Sequence, residues 1–150
     1  MNQEEIENTL HREGLKLASV SKRATAFFID ELLLSLILVV AMWNSFEGAS
    51  DYNELINISQ NFTLYYIFIK IVYQAFFTAK YGASLGKIFM HIRVIELKTL
   101  SNPSLPASFN RAVFRIISEM MFYLGFIWGM VNPTKQTWHD LTAKTLVIES

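Results

Sequence analysis

Five polar side chains that could bind a cation or exchange a proton interrupt the apolar stretches of this sequence. Asp30 and Glu31 lie in a first apolar run, Lys70 and Gln74 in a second, and Glu119 in a third. An unpaired ionised side chain near the centre of a bilayer costs at least ~2.5 kcal/mol. We therefore expect these five residues to face one another as a candidate intramembrane ion or proton site.

Helical geometry places the five side chains at overlapping depths. Arg23 and Asp30 share a helix face because they are seven residues apart, and the rise of about 10 Å lets Arg23 reach the headgroups while Asp30 lies below them. Lys70 and Gln74 are four residues apart and also share a face. Glu119 lies eight residues after Arg111, the basic residue that begins its segment, which is a distance of about 12 Å along a helix.

Two interpretations of this cluster remain open at the level of sequence. In the first, it is a functional site, because a carboxylate whose ionised form is disfavoured in low dielectric can gain or lose a proton near neutral pH. In the second, a permanently paired lysine and carboxylate fix the packing of the helices and do nothing else.

The composition excludes several classes of function. With 52% hydrophobic and 14% aromatic residues and a mean hydropathy of +0.28, the chain is too apolar for an ordinary soluble domain. Its 13 basic and 13 acidic residues cancel, so no overall field attracts nucleic acid. There is no cysteine, and the three histidines lack metal-ligand spacing, so we expect no metal and no cofactor. No catalytic motif is present, and we do not expect an enzyme.

Two apolar segments, 24–46 and 61–80, are long enough to span a bilayer. A third, 111–131, is interrupted by charges and glycines and either spans or re-enters. The connection between the first two segments has no basic residue, whereas basic residues flank their other ends, which predicts a cytoplasmic N-terminus. The other segments are then cytoplasmic: 1–22, which is a short helix or a partly ordered tail, the linker 82–110, and the tail 132–150.

Two short β-branched runs, IRVIEL and KTLVIE, are candidate strands in the linker and the tail. Neither is stable alone, so we expect them to pair as a ribbon. Pairing requires both runs to lie on one side of the membrane, which favours a re-entrant third segment with Ser108 as its N-cap. The predicted fold is an all-α membrane protein with two transmembrane helices, this third segment, and a small cytoplasmic two-stranded β ribbon.

An ordered set of short motifs resembles the RDD family of membrane proteins. The set comprises an Arg at the start of the first membrane helix, an Asp within it, GASLGK, a following IRV strand, and WHDLTAKTLVI. The one Arg and two Asp that name the family correspond to Arg23, Asp30 and Asp140. The resemblance implies a polytopic membrane domain, for which transport is proposed and cation/proton exchange is attributed to some members. It also implies that Asp140 folds back to meet Arg23.

Two functions therefore compete. The first is cation, proton or small-solute transport, which needs a homo-oligomer or a partner because so few spans cannot enclose a pathway alone. The second is a non-enzymatic accessory or scaffold subunit of a larger membrane complex. The expected partners are membrane lipids and either further copies of the chain or other membrane subunits, and the expected location is the bacterial inner membrane.

Overall fold

The structure, a computed structural model, describes residues 3–150. Its helices and strands follow one another in the order α1 (Gln3–Arg12), α2 (Val20–Glu47), α3 (Tyr52–Tyr81), α4 (Leu85–Phe89), β1 (Ile92–Glu96), α5 (Leu105–Met120), α6 (Leu124–Val131), α7 (Trp138–Thr142) and β2 (Thr145–Glu149). The chain is mostly helical, as predicted.

Helices α2 and α3 are both long and apolar enough to cross a membrane. Each begins earlier than the apolar run that predicted it, because a polar residue caps its first turn. The Ser19 hydroxyl accepts a hydrogen bond from the Lys22 amide, and the Asp51 carboxylate accepts one from the Glu54 amide at 2.8 Å. Most of the polar stretch expected to connect the two spans is therefore the first two turns of α3.

The third apolar segment consists of α5 and α6, which meet at a bend of 102°. The predicted cap at Ser108 is wrong, because α5 begins one turn earlier, at Leu105. Its N-cap is Ser104, whose hydroxyl accepts a hydrogen bond from the Ala107 amide at 3.4 Å. Pro106 in the first turn supports this start, since its fixed φ suits the helix and it has no amide proton to leave unpaired.

Strands β1 and β2 pair antiparallel, from Ile92 opposite Glu149 to Glu96 opposite Thr145, which confirms the predicted ribbon. The chain between the strands therefore leaves the ribbon and returns to it. Together with the bend between α5 and α6, this return favours the re-entrant alternative for the third segment. The cytoplasmic side of the ribbon stays a prediction.

Helix α1 covers one face of the ribbon and settles how the N-terminal segment is organised from residue 3 onward. Ile6 and Leu10 lie on one side of α1 and are buried against Ile95, Leu146 and Ile148 of the strands. This apolar packing stabilises a helix that is too short to be stable alone.

Helix α4 packs directly on α2 because Gly86 has no side chain. A Cβ atom at Gly86 would lie 2.2 Å from the carbonyl oxygen of Ala26. Gly125 likewise allows α6 to pack directly on α5, because a Cβ atom at Gly125 would lie 2.3 Å from Ser118 Oγ. These two close approaches fix the short helices against the long ones.

Candidate functional site

Three of the five predicted site residues form one ion-paired cluster. Lys70 Nζ lies 2.6 Å from Glu31 and 2.5 Å from Glu119. Arg115 completes the cluster, at 3.4 Å from Glu31 and 3.3 Å from Glu119. We call these four residues the charge cluster; its two positive and two negative charges cancel.

The charge cluster joins three helices at the level of mid-α3. Glu31 comes from α2, Lys70 from α3, and Arg115 and Glu119 from consecutive turns of α5. The Lys70 side chain is 3% exposed, whereas that of Glu31 is 22% exposed, so Glu31 is the cluster member most open to the surroundings. Tyr66 donates a hydrogen bond to Glu31 at 2.5 Å. A buried lysine that holds two carboxylates from different helices is the central feature of this site.

The other two predicted site residues, Asp30 and Gln74, lie in a separate hydrogen-bonded site. The Asp30 carboxylate is fully buried and accepts hydrogen bonds from Tyr73 Oη at 2.8 Å, Gln74 Nε2 at 3.3 Å, Ser84 Oγ at 2.6 Å and the Gly86 amide at 2.8 Å. Among residues 3–150, no basic side chain lies within ion-pairing distance of Asp30. Neutral donors alone therefore satisfy this carboxylate.

Asp30 anchors α4 to α2. It binds the hydroxyl of Ser84, the N-cap of α4, and the amide of Gly86 in the first helical turn. The amide between them, of Leu85, donates to Tyr73 Oη at 2.9 Å. The GASLGK motif is thus the partner of Asp30, with its glycine allowing close approach and its serine supplying a donor.

Asp140 lies between two arginines and caps α7. Its carboxylate is fully buried, forms an ion pair with Arg23 at 2.5 Å, and also pairs with Arg111. It accepts further hydrogen bonds from the Thr137 amide at 3.1 Å and the Thr137 hydroxyl at 2.8 Å. Burial alone would raise the pKa of Asp140, but the two arginines outweigh it and hold the pKa well below its usual range. The predicted contact between Asp140 and Arg23 is present.

The arrangement of Arg23, Asp30 and Asp140 accords with a match to a known family, whose model, described as the RDD family, covers residues 17–144. The chain belongs to the RDD family. An uncharacterized protein of Rickettsia prowazekii (strain Madrid E) is 28% identical over 100 residues, which are 60% of this chain and 56% of that protein. The chain thus spans about half the length of this curated relative. No solved structure matches the chain.

His139, beside the second Asp of the RDD motif, is buried in its neutral form. Burial lowers the pKa of His139 well below its usual value; Asp140 opposes this, and Arg111 and Arg23 reinforce it. The Thr137 hydroxyl donates to Asp140, so it accepts the hydrogen bond from His139 Nε2 at 2.9 Å. This assigns the proton to Nε2 and leaves Nδ1 as an acceptor with no partner among the described residues.

This neutral histidine predicts a specific pH dependence of stability. Below a pH of about 6.5, the pKa of histidine in the unfolded chain, His139 binds a proton in the unfolded chain but not in the folded one. The free energy of unfolding therefore falls as the pH is lowered from this value to the pKa of His139 in the folded protein. The loss should approach about 1.4 kcal/mol per pH unit in unfolding measurements between pH 7 and pH 5. His139→Gln should flatten this slope. His91→Gln, at an exposed position, should leave it in place, and an unchanged slope in His139→Gln would contradict the assignment.

A cavity of about 170 Å³ adjoins the RDD motif, between α2, α5, α6 and the segment leading to α7. Both basic and apolar side chains line it, and the Arg115 guanidinium lies over the ring of Phe27, 4.6 Å from its centroid. A second, smaller chamber of about 10 Å³ lies next to it and shares Lys87, Arg111, Arg115 and His139 with it. Ser108 also lines this chamber, and its hydroxyl has no partner among the described residues. In the part of the chain that is described, no three His, Asp or Glu side chains are placed to hold a metal ion.

Two arginines that matter to these sites carried no role in the sequence-based hypothesis, and one lysine, Lys87, was expected only to meet lipid headgroups or the carbonyl end of a helix. Arg111 shares Asp140 with Arg23, Arg115 completes the charge cluster, and Lys87 lines both cavities. A signal for the arginines was present, because Arg111, Arg115 and Glu119 follow one another at intervals of four residues on one face of α5. Lys87 is the last residue of the GASLGK motif, but its place in the two cavities depends on how α4 docks.

Proposed function

We propose that this RDD protein transports cations in exchange for protons, and that the charge cluster is the exchange site. The observation that supports the proposal is the position of Lys70, a buried lysine that bridges carboxylates from two other helices. Ionisable side chains buried in membrane segments commonly mark ion or proton pathways. Glu31, the most exposed member of the cluster, is where a cation would first meet it.

The charges of the cluster suggest a simple exchange. A monovalent cation that binds between Glu31 and Glu119 takes the place of the Lys70 ammonium charge. Lys70 then releases one proton and stays as a neutral amine, so the cluster keeps a net charge of zero. Each cation that binds is thus matched by one proton that leaves, and no uncompensated charge is buried in low dielectric at either stage.

The proposal requires more than one copy of the chain. Two helices long enough to cross a membrane, with one bent segment beside them, do not enclose a pathway. We therefore include in the proposal a homo-oligomer in the bacterial inner membrane with a cytoplasmic N-terminus, and we assign no enzymatic reaction to the chain.

Lys70→Arg separates ion pairing from proton exchange. Arginine keeps the positive charge, so it can preserve the ion pairs to Glu31 and Glu119, but it does not release its proton near neutral pH. In liposomes that contain the purified protein and a pH-sensitive dye, a Na⁺ or K⁺ gradient should drive proton movement with the wild type. We expect this movement to fall at least about tenfold in Lys70→Arg.

Lys80→Arg is the matched control, because Lys80 lies at the end of α3 and forms no ion pair within the described residues. It should retain wild-type flux. Flux in Lys70→Arg equal to that of the wild type would rule out Lys70 as the proton carrier, and absence of flux in the wild type would rule out exchange altogether.

A second candidate is an accessory or scaffold subunit, which a different observation favours. Every ionised side chain of the charge cluster already has a partner, as in a site that only fixes helix packing. Large apolar side chains on α2 and α3 are exposed and available to other membrane subunits, among them Phe28, Leu36, Tyr65 and Phe68. Extraction in mild detergent and identification of stoichiometric partners tests this alternative; a particle that contains only copies of this chain would exclude it.

A further inference from the structure

We propose that the 170 Å³ cavity binds the phosphate group of an anionic phospholipid, with one acyl chain along its apolar wall. This site shares Arg115 with the charge cluster, but it does not depend on the exchange proposal. Its ligand is assigned from three properties of the cavity: the sign of its charge, the lining cations that have no partner among the described residues, and the apolar side chains that line it together with the basic ones.

The basic part of the cavity carries an excess of positive charge. Its lining includes Arg23, Lys87, Arg111, Arg115 and Lys135, and no Asp or Glu is among the described residues that line it. Behind the lining, Arg23 and Arg111 share the single carboxylate of Asp140. Arg115 pairs with Glu31 and Glu119, and these two carboxylates also hold Lys70. Positive charges that outnumber nearby carboxylates favour a bound anion, and arginine and lysine are the side chains that proteins use for phosphate.

Lys87 and Lys135 are the two cations of this group whose amines have no hydrogen-bond or ion-pair partner among residues 3–150, and Lys87 is the one that also lines the smaller chamber. Burial lowers the pKa of Lys87 well below its usual value; Arg111 and Arg115 add to this effect, and the more weakly acting Asp30 and Asp140 oppose it. A phosphate in the cavity would restore a counter-charge to Lys87, and it would also lie beside the arginines that now repel this amine.

The lining of the cavity also includes an apolar wall that reaches the outer surface. It is formed by Val20 and Phe27 of α2 and by Phe126, Ile127 and Met130 of α6. Ile127 is 51% exposed and Met130 is 64% exposed, so this wall continues onto the outer surface of α6. A free phosphate would gain nothing from this wall, whereas a lipid can place its phosphate at the arginines and its chain against α6.

The size and position of the cavity suit a headgroup. Its volume of about 170 Å³ is far above the ~10–15 Å³ that a single water needs. Arg23 and Val20 lie in the first turn of α2, where a membrane-spanning helix passes through the headgroup layer. Basic pockets between membrane helices at this level are a recognised setting for anionic lipids.

Native mass spectrometry of the purified chain in detergent tests the proposal. With equal amounts of phosphatidylglycerol and phosphatidylcholine of the same chain length, we expect one phosphatidylglycerol to bind per chain in clear preference. Lys87→Gln should weaken this binding at least about tenfold, as expected for loss of a charge-assisted hydrogen bond. Lys98→Gln, at an exposed position outside the cavity, should bind like the wild type.

A second variant tests the proposal independently in case Lys87→Gln fails to fold. Met130→Glu places a negative charge on an exposed part of the apolar wall, where folding should tolerate it, and it should also weaken lipid binding. Equal retention of both lipids would overturn the proposal. So would unchanged binding in both variants, or displacement of phosphatidylglycerol by an equal concentration of inorganic phosphate, which would make the cavity a site for a free anion.

Discussion

Asp140→Ala should lower the free energy of unfolding by about 3–5 kcal/mol, the usual cost of removing one partner from a buried ion pair. Asp140 is fully buried between Arg23 and Arg111, and the change leaves both guanidinium groups close together without a counter-charge. It also removes the side chain that caps α7. The measurement is reversible unfolding of the purified protein in mixed detergent micelles.

Glu149→Ala is the matched control. Glu149 also forms a close ion pair, with Lys22 at 2.8 Å, but both side chains are 37% exposed. Water solvates the charges there and an exposed pair contributes little, so the stability should hardly change. Equal effects of the two substitutions would show that the arginines beside Asp140 find other partners, and would contradict the role assigned to this carboxylate.

The low pKa of Asp140 also predicts how the stability difference between the wild type and Asp140→Ala depends on pH. Because the folded-state pKa lies below the unfolded value of about 3.9, the stability from Asp140 is present above that value and is lost only as pH falls through the folded pKa. The difference in stability between the wild type and Asp140→Ala should therefore persist at pH 4.

Asp30→Ala should destabilise the protein by about 3 kcal/mol or more. The substitution leaves the Ser84 hydroxyl, the Gly86 amide and the Gln74 amide group buried without their acceptor, and each unpaired buried donor costs about 1–3 kcal/mol. The loss should be largest around α4, because Asp30 holds its first turn. Hydrogen exchange should therefore show reduced protection of the Gly86 amide.

Asp30→Asn distinguishes an acceptor from a charged ion ligand. The asparagine oxygen can keep the hydrogen bond from Gly86, and its NH₂ group can donate to Ser84 Oγ or to a flipped Gln74, since both can accept. We expect a loss below about 1.5 kcal/mol and, if the chain exchanges cations, retained flux. A folded Asp30→Asn protein without flux would show that the Asp30 carboxylate takes part in exchange.

Much of the fold could be predicted because the relevant signals are local. The two apolar runs predicted the long helices, and the β-branched runs predicted the ribbon. The family motif predicted the pairing of Arg23 with Asp140 across more than a hundred residues. The early start of α5 was missed, although Ser104 followed by Pro106 is a recognisable helix-start pattern that should have outweighed Ser108.

The division of the polar residues into two sites could not be predicted from depth alone. Asp30 and Glu31 are neighbours in sequence, and Lys70 and Gln74 are one turn apart, so all four lie at similar levels. Their separation is decided by the docking of α4, which brings Ser84 and the Gly86 amide to Asp30. It is also decided by the rotation of α5, which brings Glu119 to Lys70 and Arg115 to Glu31. Such contacts depend on tertiary packing that spacing along the chain does not encode.

The bond between Arg23 and Asp140 has a consequence for biosynthesis. The two residues are 117 positions apart, and at ~5–20 residues per second the ribosome adds Asp140 roughly 6–23 s after Arg23. During that interval Arg23 of α2 has no Asp140 to pair with, and the same holds for Arg111 once it has been added. Neither arginine can therefore meet this carboxylate until nearly all of the domain has been translated, and a chain released before Asp140 would lack the one carboxylate that both arginines share.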